Sequence, residues 1–400
     1  MKKILILALL LTLALGMQAQ SHVRVWQGGE SKRLTLAQVG DMTFSGSTIT
    51  LGGQTYNLST IDSIIVVPEV TVAYNGSSAT VNIPASVAAD VTATVNGAHV
   101  TLNNTNVSNE VEVVLNGSST NGSLTYVGSY KCTIQLNGLD LTSQTGSPLD
   151  IQCGKRVALV LPSGTVNSLT DAASGTQDAC LYCRGHLEIE GAGTLNITGN
   201  ARHGIKTKEY LQLKKSTGTL NILKAASDGI HAGQYFLMGG GQVNIDRNTL
   251  GDGIQAEITN DPTEEMNGQM LIKGGTIQIE VAGEDCEGLK ADSLITISGG
   301  TIHITASGNG SRGIKTSTDM IISDTDATTT ITVAATGGVC TNPDHTADPH
   351  RCMGIKVDGK LTVTGGTTTV TNTGTKSRGI RVGSYTKTGG TVTGSLTYSN

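Results

Sequence analysis

Seven short runs with the same local pattern recur between residues 204 and 381 of this chain of 400 residues. Their glycines are separated by 25, 24, 35, 25, 41 and 25 residues. A repeat length in this range is typical of architectures in which each repeat stacks on the next. The runs are Gly204-Ile205-Lys206, Gly229-Ile230-His231, Gly253-Ile254-Gln255, Gly288-Leu289-Lys290, Gly313-Ile314-Lys315, Gly354-Ile355-Lys356 and Gly379-Ile380-Arg381.

Each repeat contains three strand signals separated by turns. In residues 288–306 these are Gly288–Ala291, Leu294–Ile297 and Gly299–Thr305. Three short strands in about 25 residues predict one coil of a single-stranded parallel β-helix, with coils stacked at about 4.8 Å. With 52 glycines and only 3% aromatic residues, the composition also favours short strands and tight turns.

The pattern divides the chain into four parts. Residues 1–20 form a predicted signal peptide, residues 21–68 a small β-rich segment, residues 69–125 a β segment leading into the repeats, and residues 126–400 the β-helix. Two insertions, at about 257–269 and 339–351, account for the two long steps. Insertions of this kind often project from the binding face of a repeat protein.

The first residues predict export. Lys2 and Lys3 precede an apolar run from Ile4 to Leu15, and Ala19 suits a cleavage site. We therefore expect a signal peptide of about residues 1–19 and a secreted, periplasmic or cell-surface protein whose mature chain does not insert into a membrane. The net charge of −5 argues against general nucleic-acid binding.

Strand alternation places the residue after each Ile or Leu on the outer surface. Like charges stacked across neighbouring strands are unfavourable unless something neutralises them. One interpretation is an extended anionic ligand, such as an acidic polysaccharide; the other is ion pairing with nearby acids on a solvated face. The candidate ligand-binding residues are Lys206, His231, Lys290, Lys315, Lys356 and Arg381.

Three acids precede the glycine of successive coils: Asp228, Asp252 and Glu287, with Asp285 close by. Carboxylates stacked about 4.8 Å apart suit a hard cation, and Ca²⁺ suits an exported protein. The four acids are therefore candidate calcium ligands. The alternative is that they are ordinary turn residues.

The second insertion begins at Cys340 and ends at Cys352. Its two Cys, two His and two Asp resemble a metal site. In an exported protein the simpler prediction is a disulfide between Cys340 and Cys352 that closes the base of the loop.

The third strands of four successive coils carry an outward ladder of amides, Asn196, Asn221, Asn244 and Gln278, which continues as His303, Thr332 and Thr369. Amide stacking of this kind stabilises neighbouring coils and also offers hydrogen bonds to sugar hydroxyls.

The runs Gly191-Ala192-Gly193-Thr194-Leu195-Asn196-Ile197 and Ser227-Asp228-Gly229-Ile230-His231-Ala232 resemble the repeats of a known family. It is the exported bacterial carbohydrate-binding domain with a right-handed parallel β-helix, related to pectate lyases. The resemblance covers about residues 70–400. It implies binding of plant-type polysaccharide, including acidic polygalacturonate, with Ca²⁺ on the helix surface and no established catalysis. Residues 21–68 resemble N-terminal regions of exported proteins from Bacteroidetes-type bacteria.

Two other functions stay open. A polysaccharide lyase of the pectate type needs a cation and a base, and the three acids beside His231 and Lys290 are such a set. A surface adhesin or structural protein needs neither. Because the repeats lack Trp, we expect sugar binding to be ionic and hydrogen-bonded, and weakened by salt.

Overall fold

The computed structural model describes residues 21–28, 30–340 and 350–399. Its main body is a parallel β-helix, as the repeat spacing predicts, and three stacks of strands run along its length. The predicted signal peptide, and the insertion residues Asp344, His345 and Asp348, lie outside the described residues. No helix in the described ranges has the length and apolar character needed to cross a bilayer.

The first stack carries the repeated Gly-Ile-Lys runs. Its strands are His99–Asn104, Ser123–Gly128, Leu149–Cys153, Ala179–Cys183, His203–Thr207, Ile230–Ala232, Ile254–Ala256, Glu287–Ala291, Arg312–Thr316, the first halves of Met353–Val363 and Arg378–Lys387, and Leu396–Tyr398.

The second stack follows the first around each coil. Its strands are Ser63–Asn75, Glu112–Ser119, Cys132–Thr142, Val157–Val160, Leu187–Glu190, Leu211–Leu213, Phe236–Met238, Met270–Ile272, Ile295–Ile297, Met320–Ile322 and the second halves of Met353–Val363 and Arg378–Lys387.

The third stack closes the coil and begins beside the end of Cys132–Thr142. Its further strands are Val166–Thr170, Thr194–Gly199, Thr219–Ala225, Gln242–Ile245, Thr276–Val281, Gly300–Ala306, Thr329–Ala335, Thr367–Asn372 and Thr391–Thr393.

The stacking begins earlier than residue 126. Ser63–Asn75 pairs in parallel with Glu112–Ser119, and His99–Asn104 pairs in parallel with Ser123–Gly128. One apolar core runs from Val70 to Val382. Residues 69–125 therefore contribute the first coils, edged by two antiparallel strands, Ser78–Asn82 and Val91–Asn96.

The N-terminal segment has a small core of its own around Val23, Leu51 and Tyr56. It contains the antiparallel strands Ser21–Gln27 and Glu30–Thr35, the short helix Leu36–Val39, and a sheet of Thr43–Ser45, Thr48–Leu51 and Gln54–Asn57. Ser21–Gln27 also pairs antiparallel with Ser63–Asn75, which joins the segment to the β-helix.

The repeated Gly is explained by close approach between coils. A Cβ built on Gly288 would lie 2.5 Å from the carbonyl oxygen of Gly313 and 2.7 Å from Ile304 Cγ2. Gly253 meets Gly288 in the same way, again at 2.5 Å. The next residue, Ile or Leu, is fully buried in each of these coils, as Leu289 shows. The repeat therefore combines a close contact between coils with a core residue.

Candidate functional site

The predicted column of cations exists in the structure, in the predicted register, but His231 is buried rather than outward-facing. Lys290 lies opposite Lys315, Lys315 opposite Lys356, and Lys356 opposite Arg381 on successive strands. Towards the N-terminus the column continues through Gln255 and His231 to Lys206. We call the six residues Lys206, His231, Lys290, Lys315, Lys356 and Arg381 the cationic column.

Acidic partners neutralise most of this column. Arg381, at its C-terminal end, has no ion-pair partner among the described residues. The other five pairs and their nitrogen–oxygen distances are Lys206–Asp178 at 3.6 Å, His231–Asp228 at 2.8 Å, Lys290–Asp252 at 2.9 Å, Lys315–Glu287 at 3.3 Å and Lys356–Asp358 at 3.0 Å.

The three predicted acids form a buried ladder beside the cationic column. The Oδ1 atom of Asp228 accepts a hydrogen bond from the backbone N–H of Asp252 at 3.0 Å. The Oδ1 atom of Asp252 accepts from the backbone N–H of Glu287 at 2.7 Å. All three residues are buried. We call Asp228, Asp252 and Glu287 the acidic column; it links consecutive coils as well as pairing with cations.

Asp252 is the member of the acidic column whose negative charge is disfavoured by its surroundings. Burial and the neighbouring charge of Glu287 raise the pKa of Asp252 above its ordinary value, although Lys290 opposes this. Burial would also raise the pKa of Glu287, but contacts with Asp252, Lys315 and Arg312 outweigh it and lower that pKa. The carboxylates of Asp252 and Glu287 both attract the ammonium group of Lys290.

The fourth predicted acid lies apart from the column. Asp285 Oδ1 contacts Arg312 Nη1 at 2.8 Å and His350 Nδ1 at 2.7 Å. Among the described residues, no group of three ligand atoms within 4.8 Å of one another includes Asp252, Asp285 or Glu287. The calcium site stays a prediction, because ion pairs already contact all four carboxylates.

The structure does not contain the disulfide predicted between Cys340 and Cys352. Val339 faces Arg351 in an antiparallel bridge, which makes the two cysteines diagonal neighbours. Diagonal positions lie about 7–8 Å apart, beyond the Cα separation of a disulfide. Cys352 carries a free thiol and donates to the carbonyl oxygen of Ala306 at 3.3 Å. Backbone hydrogen bonds close this loop instead.

Two residues that are not among the predicted site residues contact the acidic column. His203 occupies the position before Gly204, and Arg312 the position before Gly313. They extend the acidic column at either end: His203 Nδ1 lies 3.2 Å from Asp228 Oδ2, and Arg312 Nη1 lies 2.7 Å from Glu287 Oε1. The signal was present, because both stand at the repeat position that the acids occupy.

The third stack presents the predicted amide ladder. Asn244 donates to Asn221, and Asn221 donates to Asn196, each at 2.8 Å. Beside the ladder lies a surface cleft of about 510 Å³ lined by Gln278 and His303. The ladder offers neutral hydrogen-bonding groups, and the cleft is also lined by the charged side chains of Asp246, Arg247 and Glu280.

Comparisons with known proteins agree with this architecture. The sequence pattern of the carbohydrate-binding domain-containing protein family matches residues 96–396. A carbohydrate-binding domain-containing protein of Acetivibrio thermocellus is 28% identical over 92 residues, which are 21% of this chain and 32% of that relative. The match therefore spans about a third of the relative's length.

A solved structure is similar in fold. The polysaccharide lyase-like protein from C. thermocellum, described as a gadolinium derivative, superposes with a TM-score of 0.52 and 19% identity. The superposition covers 65% of this chain and 98% of that chain. At this identity the likeness concerns the fold, whereas the family match covers three quarters of the sequence. This chain belongs to the carbohydrate-binding domain-containing protein family.

Proposed function

We propose that this protein is an exported, non-catalytic carbohydrate-binding protein whose ligand is an acidic, polygalacturonate-like or plant-type polysaccharide. Family membership supports a carbohydrate ligand. The observation that supports an acidic one is the set of four cations in register on consecutive coils, Lys290, Lys315, Lys356 and Arg381.

The geometry suits an extended polyanion. Consecutive coils lie about 4.8 Å apart, so a polysaccharide lying along the stack meets a new cation at each coil. Charged hydrogen bonds between carboxylates and Lys or Arg contribute about 1.5–3 kcal/mol each when solvent is partly excluded.

The C-terminal end of the cationic column is the preferred contact. Lys290 pairs with the buried Asp252, and Lys315 pairs with the buried Glu287. Lys356 has only the more exposed Asp358, and Arg381 has no ion-pair partner among the described residues. A uronate carboxylate therefore gains most at Lys356 and Arg381, where it competes with the fewest internal acids.

Calcium is part of the proposal, and its place is the acidic column. The mutual repulsion of Asp252 and Glu287 is what a divalent cation would relieve. To bind there, Ca²⁺ has to displace Lys290 from Asp252 Oδ2. The displaced ammonium group would then be available to the polysaccharide, which couples the two ligands.

Export is proposed from the sequence alone. The charged start, apolar run and small residue at Ala19 support a signal peptide of about residues 1–19. A secreted, periplasmic or cell-surface location would bring the mature protein to extracellular polysaccharide.

A paired-variant binding experiment tests the proposal. We expect the double variant Lys356→Gln/Arg381→Gln to bind polygalacturonate roughly a hundredfold or more weakly, since it loses two charged contacts of about 1.5 kcal/mol or more each. The matched control is Lys224→Gln/Lys273→Gln, which removes two exposed cations from other positions. Calorimetry in calcium and in EDTA measures both ligands, and we expect weaker polysaccharide binding in EDTA.

The same samples separate the alternatives. Equal losses in the two double variants would contradict the assignment to the column. The appearance of unsaturated uronide absorbance on incubation with polygalacturonate and Ca²⁺ would show that the protein is a lyase and would contradict the non-catalytic proposal. Failure to retain any member of a polysaccharide panel would favour an adhesin or a structural protein.

A further inference from the structure

Three side chains on two successive coils form a compact buried cluster at the N-terminal end of the acidic column. Asp228 Oδ2 lies 3.2 Å from His203 Nδ1 and 2.8 Å from His231 Nδ1. The two imidazole rings are 4.6 Å apart between centroids. All three residues are buried, and their ligand atoms lie within 4.8 Å of one another.

The two contacts of His203 Nδ1 place opposite demands on that nitrogen. His203 Nδ1 faces the backbone N–H of Asp228 at 3.3 Å, a contact that needs a lone pair on that nitrogen. The same nitrogen faces Asp228 Oδ2, a contact that needs a proton on it. If the lone pair is present, it points toward a carboxylate oxygen. A cation held between the two atoms removes that repulsion.

His231 has a related arrangement. Its Nδ1 faces Asp228 Oδ2 at 2.8 Å, and its Nε2 faces Glu257 Oε2 at 3.0 Å. When Nε2 carries the proton and donates to Glu257, Nδ1 presents a lone pair toward Asp228. A carboxylate that holds the far nitrogen of a ligating imidazole is a recurrent feature of protein metal sites.

The distances suit a small divalent transition metal ion. Tetrahedral zinc bonds of about 2.0–2.2 Å to histidine nitrogen and carboxylate oxygen place neighbouring ligand atoms about 3.3 Å apart. The two separations at Asp228 Oδ2, 2.8 and 3.2 Å, lie within a few tenths of an ångström of that value. Modest side-chain adjustment would therefore accommodate the ion.

The charges balance as well. Two neutral imidazoles with the carboxylates of Asp228 and Glu257 leave two negative charges, which a divalent ion neutralises. Glu257 belongs to the first insertion and its side chain is 51% exposed, which gives the cluster a route to solvent. With three protein ligands, a fourth position is left for water.

A second His and acid cluster provides a contrast. His22, Glu69 and Glu112 are equally close together, but Arg24 and Arg33 contact these acids at 2.8 Å or less. Two guanidinium groups supply the charge that an ion would bring. At His203, Asp228 and His231, no Lys or Arg lies within 4.0 Å of the Asp228 carboxylate among the described residues.

We propose that His203, Asp228 and His231 form a binding site for a divalent transition metal ion, with Zn²⁺ the best fit, and that Glu257 orients His231. The two imidazoles make the site unlike a calcium site, which uses oxygen ligands. Asp228 and His231 also belong to the acidic and cationic columns, but the metal site requires neither polysaccharide nor Ca²⁺ bound at Asp252 and Glu287.

Cobalt titration of the chelator-treated full chain tests the site. We expect one Co²⁺ per chain, with the visible absorption bands of a low-coordinate nitrogen and oxygen site. One equivalent of Zn²⁺ should abolish these bands, and excess Ca²⁺ should leave them unchanged. His203→Gln and His231→Gln should each weaken binding at least tenfold, and Glu257→Gln should weaken it less. His303→Gln, an exposed histidine on the third stack, is the matched control.

Two results would overturn the proposal. One is the absence of stoichiometric Co²⁺ or Zn²⁺ uptake by the unmodified chain. The other is binding that survives the loss of His203. Circular dichroism checks that each variant folds. X-ray absorption of the zinc-loaded unmodified protein should show two imidazole ligands, and a spectrum with none would contradict the site even if a variant failed to fold.

Discussion

Glu112 shows how single charges attach the N-terminal segment to the β-helix. Its side chain is fully buried and lies 3.0 Å from His22 Nε2, 2.8 Å from Arg24 Nη2 and 3.0 Å from Arg33 Nε. Burial would raise the pKa of Glu112, but His22 and the two guanidinium groups outweigh it and lower that pKa. A carboxylate from the first coils thus contacts three side chains of the N-terminal segment.

Removing this charge should destabilise the protein. We expect Glu112→Gln to lower the free energy of unfolding by about 3–5 kcal/mol, because it leaves the buried Arg24 without its closest carboxylate. Glu280→Gln, which removes an exposed pair with Arg247 at 3.8 Å, should cost about 1 kcal/mol or less. Urea unfolding at pH 7 measures both.

The same pair of variants gives a pH test with a defined sign. A carboxyl whose pKa is lowered on folding contributes stability above its ordinary value, about 4.5 for Glu, and loses it as pH falls through the folded-state pKa. The gap in stability between the unmodified protein and Glu112→Gln should therefore shrink below pH 4.5. A gap that stays constant from pH 7 to pH 3 would contradict this role.

Some residue positions follow directly from the sequence and others do not. Strand alternation and the repeat length place Lys290, Lys315 and Lys356 on one outer column, and the structure has them there. Alternation says nothing about partners in a segment without repeats, so the contacts of Glu112 with Arg24 could not be predicted. His203 was discoverable, because it stands one repeat before Asp228.

At the scale of the coil, glycine is required at the repeated position because the neighbouring coil lies too close for a side chain, and not because the backbone conformation excludes other residues. None of the seven glycines of the Gly-Ile-Lys runs has a positive φ. Their constraint is the approach of the next coil, whose carbonyl oxygen lies 2.5–2.9 Å from the position of an added Cβ in the coils from Gly204 to Gly354.

Alanine at one of these glycines should therefore be costly. We expect Gly288→Ala to lower the free energy of unfolding by about 1–3 kcal/mol, as overpacking does. Gly154→Ala is the matched control: nothing lies within 4 Å of its added Cβ and its φ is not positive, so it should be neutral or stabilising by a few tenths of a kcal/mol. Thermal unfolding of both variants compares them, and similar melting temperatures would disprove the close-approach explanation.

The second insertion shows where local pattern misleads. Cys340 and Cys352 bracket a loop rich in His and Asp, and in a protein expected to be exported a disulfide between them is the simplest interpretation. The antiparallel bridge between Val339 and Arg351 sets a register that makes them diagonal. The pairing register of the two chain segments at the base of a loop depends on tertiary contacts, so the spacing of the two cysteines in the sequence does not predict it.

The whole molecule combines a uniform core with an uneven outer face. The core ladder from Val70 to Val382 follows from periodicity. The outer face differs along its length: a His-rich cluster lies beside Asp228, two contested carboxylates lie at Asp252 and Glu287, and the most weakly paired cations lie at Lys356 and Arg381. This gradient depends on which acid approaches which cation, and only the structure shows those approaches.

We propose that the outer face of the first stack binds an acidic polysaccharide through its charges. The most direct measurement is the affinity of the unmodified protein for polygalacturonate over a series of NaCl concentrations, with a neutral crystalline glucan in parallel. Screening of exposed charges predicts affinity for polygalacturonate that falls steadily as salt rises, with little retention on the neutral glucan. Salt-insensitive binding to the neutral glucan would contradict the claim.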